Sequence, residues 1–247
     1  MRYVLTRKSE EAVRRFLASP VLLAFDFDGT LAPIVGDPDR ARVRPATRRL
    51  LRRVAEAWPC VVISGRSRAD VRNKLFGTGI RRTFGNHGAE PWADARGARK
   101  QVARWGASLA KDLANLSGIR IDNHRLSVTV HYRHCDPRAS ARSQILDAAR
   151  TLPEARLICG KLAVSVIPAR APNKGTALRA ELARLACDRA LYVGDDETDE
   201  DVFALDRAIR LLSVRVGRKH RSRAQYFLRN QAEIDEFLRI LIASLPV

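Results

Sequence analysis

The stretch Val21–Thr30, VLLAFDFDGT, is a short β-rich apolar run that ends in two carboxylates and a glycine. A buried parallel strand has this pattern, because both of its faces are covered and its carboxyl end delivers polar residues to a site. Three later apolar runs also lead into a glycine turn: Cys60–Ile63, Ala190–Val193 and Ile209–Val216. The four runs predict a parallel sheet with a functional site at one edge.

Helical patterns lie between these strands. Apolar residues recur at helical spacing in Ala46–Ala57 and Thr176–Ala186, and a shorter helix is predicted at Asp201–Asp206. Strands that alternate with helices in this way predict an α/β fold with right-handed connections.

Residues 92–167 break this alternation. The pattern there predicts two helices and four strands, at Ala98–Leu116, Ile119–Asp122, Leu126–Tyr132, Pro137–Thr151, Arg156–Cys159 and Leu162–Ile167. The order α-β-β-α-β-β indicates a small antiparallel sheet backed by two helices. We therefore predict a core domain of residues 1–91 and 168–247, with an α+β lid of residues 92–167 inserted into it.

Composition excludes several classes of protein. Of the 247 residues, 46% are hydrophobic and 29% are charged, which is typical of a globular protein. No apolar run is long enough to span a bilayer, and charged residues interrupt residues 1–18, so we expect a cytoplasmic protein with no membrane partner. The four cysteines lie far apart without a C-x-x-C pair, which favours a reduced protein.

The formal net charge of +18 raises the possibility of nucleic-acid binding. The arginines are scattered from Arg14 to Arg239, however, and the densest cluster, Arg215–Arg229, contains only two aromatic residues. A surface on which bases stack interleaves many more aromatic rings with its cations. We therefore expect a solvated basic surface and no nucleic-acid partner. A nucleic-acid-binding protein stays the alternative, and it predicts a steep salt dependence of binding.

Asp26 and Asp28 lie two residues apart at the end of a predicted strand, so their side chains point to the same side. Two carboxylates this close repel each other unless a cation lies between them, which indicates an oxygen-preferring metal ion such as Mg²⁺. Gly29 then allows a sharp turn. The alternative explanation of D-x-D-G is an Asx-turn with a helix cap.

A second acidic cluster, Gly194–Glu200 or GDDETDE, carries five acids in six positions. Helix capping explains one or two of them, but the repulsion among five favours a bound cation. Two other residues offer contacts to a phosphate, the hydroxyl of Ser64 and the ammonium group of Lys174. Each alone also fits a simpler role, as a turn residue or a solvated lysine.

In order along the chain, these residues resemble the four motifs of the haloacid dehalogenase superfamily of phosphatases: Asp26-x-Asp28-Gly29-Thr30, Ser64, Lys174 and Gly194-Asp195-x-x-x-Asp199. Five longer stretches resemble the trehalose-6-phosphate phosphatase family over about residues 20–240: Ser64–Arg66, Gly85–Glu90, His131–Arg133, Asn173–Gly175 and Gly194–Glu200. The resemblance implies a Rossmann-like core with an inserted cap of the C2 type.

The same resemblance implies roles for the motif residues. Asp26 would attack phosphorus and form an aspartyl phosphate, and Asp28 would protonate the leaving sugar oxygen and later deprotonate water. Ser64 and Lys174 would hold the phosphoryl oxygens. Mg²⁺ would be bound by Asp26, the backbone carbonyl of Asp28, and the acids Asp195, Asp196 and Asp199. The implied substrate-binding residues are Gly65, Arg66, His87, Asp122, His124, Arg133 and Ser165.

The cap departs from the family pattern at two positions. Family members carry an acid, any residue and a lysine where this chain has Asp122–His124, and a glutamate where it has Ser165. The resemblance implies trehalose 6-phosphate as the substrate, and because of the two departures sucrose, glucosylglycerol or modified disaccharide phosphates are the alternatives. Phosphomannomutase shares the first motif, but its cap arginines are not recognisable here. A catalytically silent sugar-phosphate-binding regulator is a further alternative. We expect a monomer.

Overall fold

The computed structural model describes residues 1–92, 95–160, 162–205 and 209–245. The chain divides into two compact units. The first unit comprises Met1–Gly88 and Asn173–Val247, and the second comprises Ala89–Pro172. The domain boundaries expected from the sequence, at residues 92 and 167, lie a few residues inside the second unit.

The described residues form eleven strands and eight α-helices. The strands are β1 Arg2–Tyr3, β2 Leu22–Phe25, β3 Cys60–Ile63, β4 Arg82–Phe84, β5 Arg120–Asn123, β6 Val128–His131, β7 Ala155–Gly160, β8 Ala163–Pro168, β9 Arg189–Gly194, β10 Arg210–Val216 and β11 Tyr226–Leu228. The helices are α1 Arg7–Leu17, α2 Pro45–Ala57, α3 Arg68–Lys74, α4 Ala95–Asp112, α5 Arg138–Arg150, α6 Lys174–Arg184, α7 Glu200–Phe203 and α8 Ile234–Ile242. Each described helix is either too short or too polar to cross a lipid bilayer.

The first unit contains a seven-stranded parallel sheet in the order β1-β11-β10-β9-β2-β3-β4. Alternate residues of β2 pack into different apolar clusters, with Leu23 and Phe25 on one side and Leu22 and Ala24 on the other. This double burial explains why the strand has no polar residue. Because β2 and β9 are neighbours in the sheet, the acidic segments that follow them meet at its carboxyl edge.

The second unit contains a four-stranded antiparallel sheet in the order β5-β6-β8-β7. Val128 and Val164 belong to an apolar cluster with residues of α4 and α5, including Trp105 and Ile145. The next residues along each strand point to the opposite face, which is polar. The predicted fold class, a parallel α/β core with a separate α+β unit, is confirmed.

Some predicted element boundaries differ from those of the structure. Helix α4 ends at Asp112 instead of Leu116, because the N–H groups of Ala114 and Leu116 bond to carbonyls three residues back, which forms tight turns before Gly118. The helix predicted at Asp201–Asp206 corresponds to α7, and Asp206 itself lies outside the described residues. The short strands β1, β4 and β11 extend the sheet beyond the four predicted strands.

Candidate active site

Lys174 connects the two acidic segments of the first unit. It is the first residue of α6, where the side chain of Asn173 caps the helix by accepting a hydrogen bond from the N–H of Thr176. Its side chain is 1% exposed, and the ammonium group donates to Oδ1 of Asp26 and to Oδ1 of Asp199, at 2.8 Å each. A buried cation thus pairs with one carboxylate from the end of β2 and another that follows β9.

Asp199 organises the turn after β9. Its Oδ1 accepts hydrogen bonds from Lys174 and from the hydroxyl of Tyr192, and the Tyr192 contact measures 2.6 Å. Its Oδ2 accepts from the backbone N–H groups of Asp195 and Asp196, at 2.8 and 2.9 Å. The side chain is completely buried. Since each oxygen already has two donors, Asp199 is suited to orienting the neighbouring acids.

Asp26, Asp195 and Asp199 each offer a carboxylate oxygen, and these three oxygens lie within 4.8 Å of one another. Thr30 donates to Oδ1 of Asp195 at 3.3 Å. Gly29 is required here for two reasons. Its φ of +84° favours glycine, and a Cβ at this position would collide with the carboxylate of Asp195.

These acids lie in an environment that disfavours negative charge. Burial raises the pKa of Asp26 well above its usual range, with Lys174 acting in the opposite direction. Burial and the charges of Asp199 and Asp196 raise the pKa of Asp195 to about 8. A divalent cation would offset this repulsion, and oxygen donors are the ligands that hard cations prefer. The acidic group therefore fits a divalent metal ion.

Asp196 behaves differently from its neighbours. Its Oδ1 accepts hydrogen bonds from the N–H and the hydroxyl of Thr198, at 2.8 and 2.7 Å. Burial acts to raise the pKa of Asp196, but Lys174 and the Thr198 hydrogen bonds outweigh it and hold the pKa below its usual value. Asp196 therefore keeps its negative charge and shapes the turn.

Arg215 is a positioning residue that sequence reasoning missed. It lies near the end of β10 and is 6% exposed. Its guanidinium group donates to the backbone carbonyls of Asp195 and Asp196 and to the carboxylate of Glu200. From the sequence, Arg215 was interpreted only as one of the scattered arginines of a basic surface. Its place at a strand end, beside the carboxyl edge that carries the acidic segments, was the available signal.

The turn after β3 lies at the same edge of the sheet. The hydroxyl of Ser64 is buried and accepts a hydrogen bond from the N–H of Arg66 at 3.2 Å. A Cβ on Gly65 would lie 2.6 Å from the ring of His87, so glycine allows these two segments to pack closely. Arg66 itself forms a bidentate pair with Asp28, at 2.7 and 2.8 Å. These four predicted residues therefore accompany Asp28 at the carboxyl edge of the parallel sheet.

The sequence model of the trehalose-phosphatase family matches residues 24–232, which is most of the chain. The chain belongs to the trehalose-phosphatase family. Probable trehalose-phosphate phosphatase 9 of Oryza sativa subsp. japonica is 30% identical over 263 residues, which cover 90% of this chain and 70% of that protein.

Two solved structures resemble this trehalose-phosphatase. The C-terminal domain of C. albicans trehalose-6-phosphate phosphatase has a TM-score of 0.76 at 21% identity, covering 95% of this chain and 96% of the domain. Aspergillus fumigatus trehalose-6-phosphate phosphatase has a TM-score of 0.63 at 25% identity, covering 99% of this chain and 100% of the other. The predicted family is confirmed, and so is the predicted enzyme class, a phosphoric monoester hydrolase.

The remaining predicted residues of this trehalose-phosphatase belong to the second unit. Asp122 and Ser165 lie in one row across the polar face of the antiparallel sheet, because each is the direct cross-strand partner of Thr129. His124 lies in the turn after β5, where its N–H donates to the carbonyl of Ser127, and Arg133 follows β6. The roles assigned to these residues stay predictions.

Two side-chain pairs occupy the polar face. Asp122 lies 3.2 Å from Nε2 of His131 and accepts a hydrogen bond from Arg120 at 2.9 Å. Burial lowers the pKa of His131, and Asp122 acts in the opposite direction. The hydroxyls of Thr129 and Ser165 lie 2.8 Å apart. The face thus offers one negative group and a neutral hydroxyl pair.

Proposed function

We propose that this trehalose-phosphatase hydrolyses trehalose 6-phosphate to trehalose and phosphate, in a Mg²⁺-dependent reaction through a phosphorylated Asp26. The observation that carries the proposal is the position of Asp26, which is buried at a strand end, paired with Lys174 and close to oxygens of Asp195 and Asp199. The names of the relatives supply the substrate, since they are trehalose-phosphate phosphatases.

Asp26 attacks phosphorus as a carboxylate, and the bond from phosphorus to the sugar oxygen breaks. This covalent step divides one difficult hydrolysis into two easier displacements. Positive charge must accompany the nucleophile, because burial alone favours its protonated form. The ammonium group of Lys174, at 2.8 Å, provides part of that charge.

A bound Mg²⁺ would supply the remaining charge. Asp26, Asp195 and the backbone carbonyl of Asp28 would hold the ion, with Asp196 and Asp199 behind them. The saturated hydrogen bonding of Asp199 supports an orienting role, because residues that hold the ligands of a metal ion strongly affect its affinity. The bound cation would offset repulsion between the nucleophile and the phosphate dianion.

Asp28 moves the protons in both half-reactions. It gives a proton to the sugar oxygen as that oxygen leaves phosphorus. It then removes a proton from the water that attacks the phosphorylated Asp26, which returns both carboxyl groups to their starting forms. Ser64 and Lys174 hold phosphoryl oxygens during these steps, and Gly65 and His87 lie beside Ser64.

The second unit, as a cap, determines which sugar is accepted. Asp122, His124, Arg133 and Ser165 are the proposed sugar-binding residues. A different sugar phosphate stays the second candidate, because the hydroxyl of Ser165 is bonded to Thr129 where family members have a carboxylate. We expect the enzyme to act as a cytoplasmic monomer without a nucleic-acid partner.

Phosphate release from a panel of esters tests this proposal. The panel contains trehalose 6-phosphate, sucrose 6-phosphate, glucosylglycerol phosphate and glucose 6-phosphate, each assayed with Mg²⁺ and with EDTA. We expect hydrolysis of trehalose 6-phosphate to be fastest, EDTA to abolish it, and Mg²⁺ to restore it. If another ester is hydrolysed faster, the sugar of that ester replaces trehalose as the proposed substrate. Full activity in EDTA would refute the role of the metal ion.

A further inference from the structure

We propose that Arg66 is a positioning residue that fixes the ionised carboxylate of Asp28 for removing a proton from the attacking water, and that it does not bind the substrate phosphate. This inference rests on the proposed function, in which Asp28 is the acid and base. It replaces the role that the family resemblance implied for Arg66, which was contact with the substrate.

The contact between the two side chains is bidentate. Nε of Arg66 donates to Oδ2 of Asp28 at 2.7 Å, and Nη2 donates to Oδ1 at 2.8 Å. Two parallel hydrogen bonds fix both the position and the plane of a carboxylate, whereas a single bond leaves it free to rotate. The difference matters for Asp28, because its side chain is 38% exposed and has solvent on one side.

Two of the other three N–H groups of Arg66 are also bonded to the protein. Nη1 donates to Oδ2 of Asp70 at 2.8 Å, and Nη2 donates a second hydrogen bond to the carbonyl of Pro38 at 2.7 Å. The guanidinium group lies 5.5 Å from the centroid of the Phe27 ring, and the side chain is only 12% exposed. A guanidinium group with four protein acceptors is poorly placed to bind a phosphate as well.

The partners of Arg66 are themselves held in place. Asp70 lies in the first turn of α3, where its N–H bonds to the N-cap hydroxyl of Ser67. Nζ of Lys74 lies 3.6 Å from Asp70 and donates to the backbone carbonyls of Asp39 and Ala41, at 3.0 and 3.3 Å. Helix α3 and the loop around residue 39 therefore hold Arg66 from two directions.

A positioning role and a phosphate-binding role predict different kinetics. An enzyme without a well-placed Asp28 should still be phosphorylated by p-nitrophenyl phosphate, because nitrophenolate leaves without a proton. It should then hydrolyse the phosphorylated enzyme slowly, because water must lose a proton in that step. An enzyme without a phosphate ligand should instead bind every ester and inorganic phosphate more weakly.

The experiment measures nitrophenolate release by stopped flow in the presence of Mg²⁺, for the wild type, Arg66→Lys and Arg66→Met. For both variants we expect a burst of about one nitrophenolate per enzyme at the wild-type rate, then a steady rate that is about 10- to 100-fold lower. The lysine variant should be affected nearly as much as the methionine variant, since an ammonium group cannot replace the bidentate contact. Inhibition by inorganic phosphate should be unchanged.

The control is Arg82→Lys, which also removes an arginine–carboxylate contact, to Glu181 at 3.0 Å, but at the opposite end of its strand from the catalytic edge. It should retain wild-type kinetics. If the Arg66 variants do not fold, Asp70→Ala keeps Arg66 and Asp28 in the chain and should slow the same step by a smaller factor.

Two results would overturn the inference: weaker inhibition by phosphate together with a slower burst, or an unchanged steady rate in every Arg66 and Asp70 variant. Absence of Mg²⁺-dependent hydrolysis in the wild type would be a separate result, and it would refute the proposed function itself.

Discussion

The catalytic edge of the parallel sheet and the polar face of the antiparallel sheet are built in different ways. At the catalytic edge, Lys174, Asp199 and Arg215 connect segments that are far apart in sequence, and all three are buried. On the polar face, the pairs Thr129–Ser165 and Asp122–His131 join neighbouring strands only. The proposed chemistry thus involves a buried network, and the proposed recognition of the sugar involves a row of side chains with local contacts only.

This difference predicts how the two regions respond to substitution. Removing one member of a buried charged network leaves its partners unpaired in a region of low dielectric, which is costly. Changing one residue of the polar row alters only its local contacts, so specificity can change while the catalytic groups stay intact. Four substitution or titration experiments test this contrast.

The largest effect is expected for Asp26→Asn, which removes the proposed nucleophile but keeps the shape of the side chain. Turnover of every ester should fall by roughly 10³-fold or more, because the amide of asparagine cannot form the acyl phosphate. Asp188→Asn is the matched control, since Asp188 is an exposed acid at the other end of β9, and it should retain full turnover. Substantial hydrolysis by Asp26→Asn would exclude the covalent mechanism.

The sequence predicted the catalytic edge better than it predicted the contacts around it. Strands β2 and β9 follow from uninterrupted apolar runs, and their adjacency brings Asp26 and Asp195 together. The contacts of Arg66 and Arg215 were not predictable, because a position at a strand end indicates the edge on which an arginine lies but not the groups to which it donates. Two- and three-residue strands such as β1 and β11 also lie below the length at which a periodic pattern can be recognised.

The second-largest effect is expected in the pH dependence of metal binding. The folded, metal-free protein raises the pKa of Asp195 to about 8, mainly by burial, so this carboxyl carries a proton below that pH. Mg²⁺ must displace this proton and the proton that burial favours on Asp26, so its affinity should rise by at least about tenfold per pH unit from about pH 6 to about 8. Thermal melts with increasing Mg²⁺ at about pH 6, 7 and 8 measure this dependence.

The raised pKa of Asp195 also makes the stability of the folded protein depend on pH. A raised carboxyl pKa stabilises the folded state at low pH, and this contribution is lost as the pH rises through the folded-state value. The increase in melting temperature caused by Mg²⁺ should therefore grow from about pH 6 to about 8. An affinity that does not vary over this range, or that varies equally in Asp195→Asn, would contradict the prediction.

A smaller effect is expected for Arg215→Met, which leaves every acid in place but removes the hydrogen bonds to the backbone of Asp195 and Asp196. Residues that orient metal ligands typically change metal affinity by about 10- to 100-fold, and we expect a loss of that size for Mg²⁺. Arg210→Met, an exposed position on the same strand, is the control. Equal Mg²⁺ affinities in the two variants, from melts without substrate, would refute this role for Arg215.

The smallest effect is expected on the polar face of the second unit, in the double variant His124→Lys and Ser165→Glu. A charged partner for a sugar hydroxyl contributes about 1.5–3 kcal/mol when nothing replaces it, but the existing bond between Ser165 and Thr129 must break, so we expect a gain of only about tenfold. The gain should appear in kcat/KM for trehalose 6-phosphate.

Binding energy from a remote part of the substrate acts on the transition state, whereas Asp26 acts on any ester. Hydrolysis of p-nitrophenyl phosphate, which lacks the sugar, should therefore stay nearly unchanged and serves as the control. If the wild type already prefers trehalose 6-phosphate over every other sugar phosphate and the double variant is slower, then His124 and Ser165 belong to a working site of a different design, and the contrast between the two regions fails at this point.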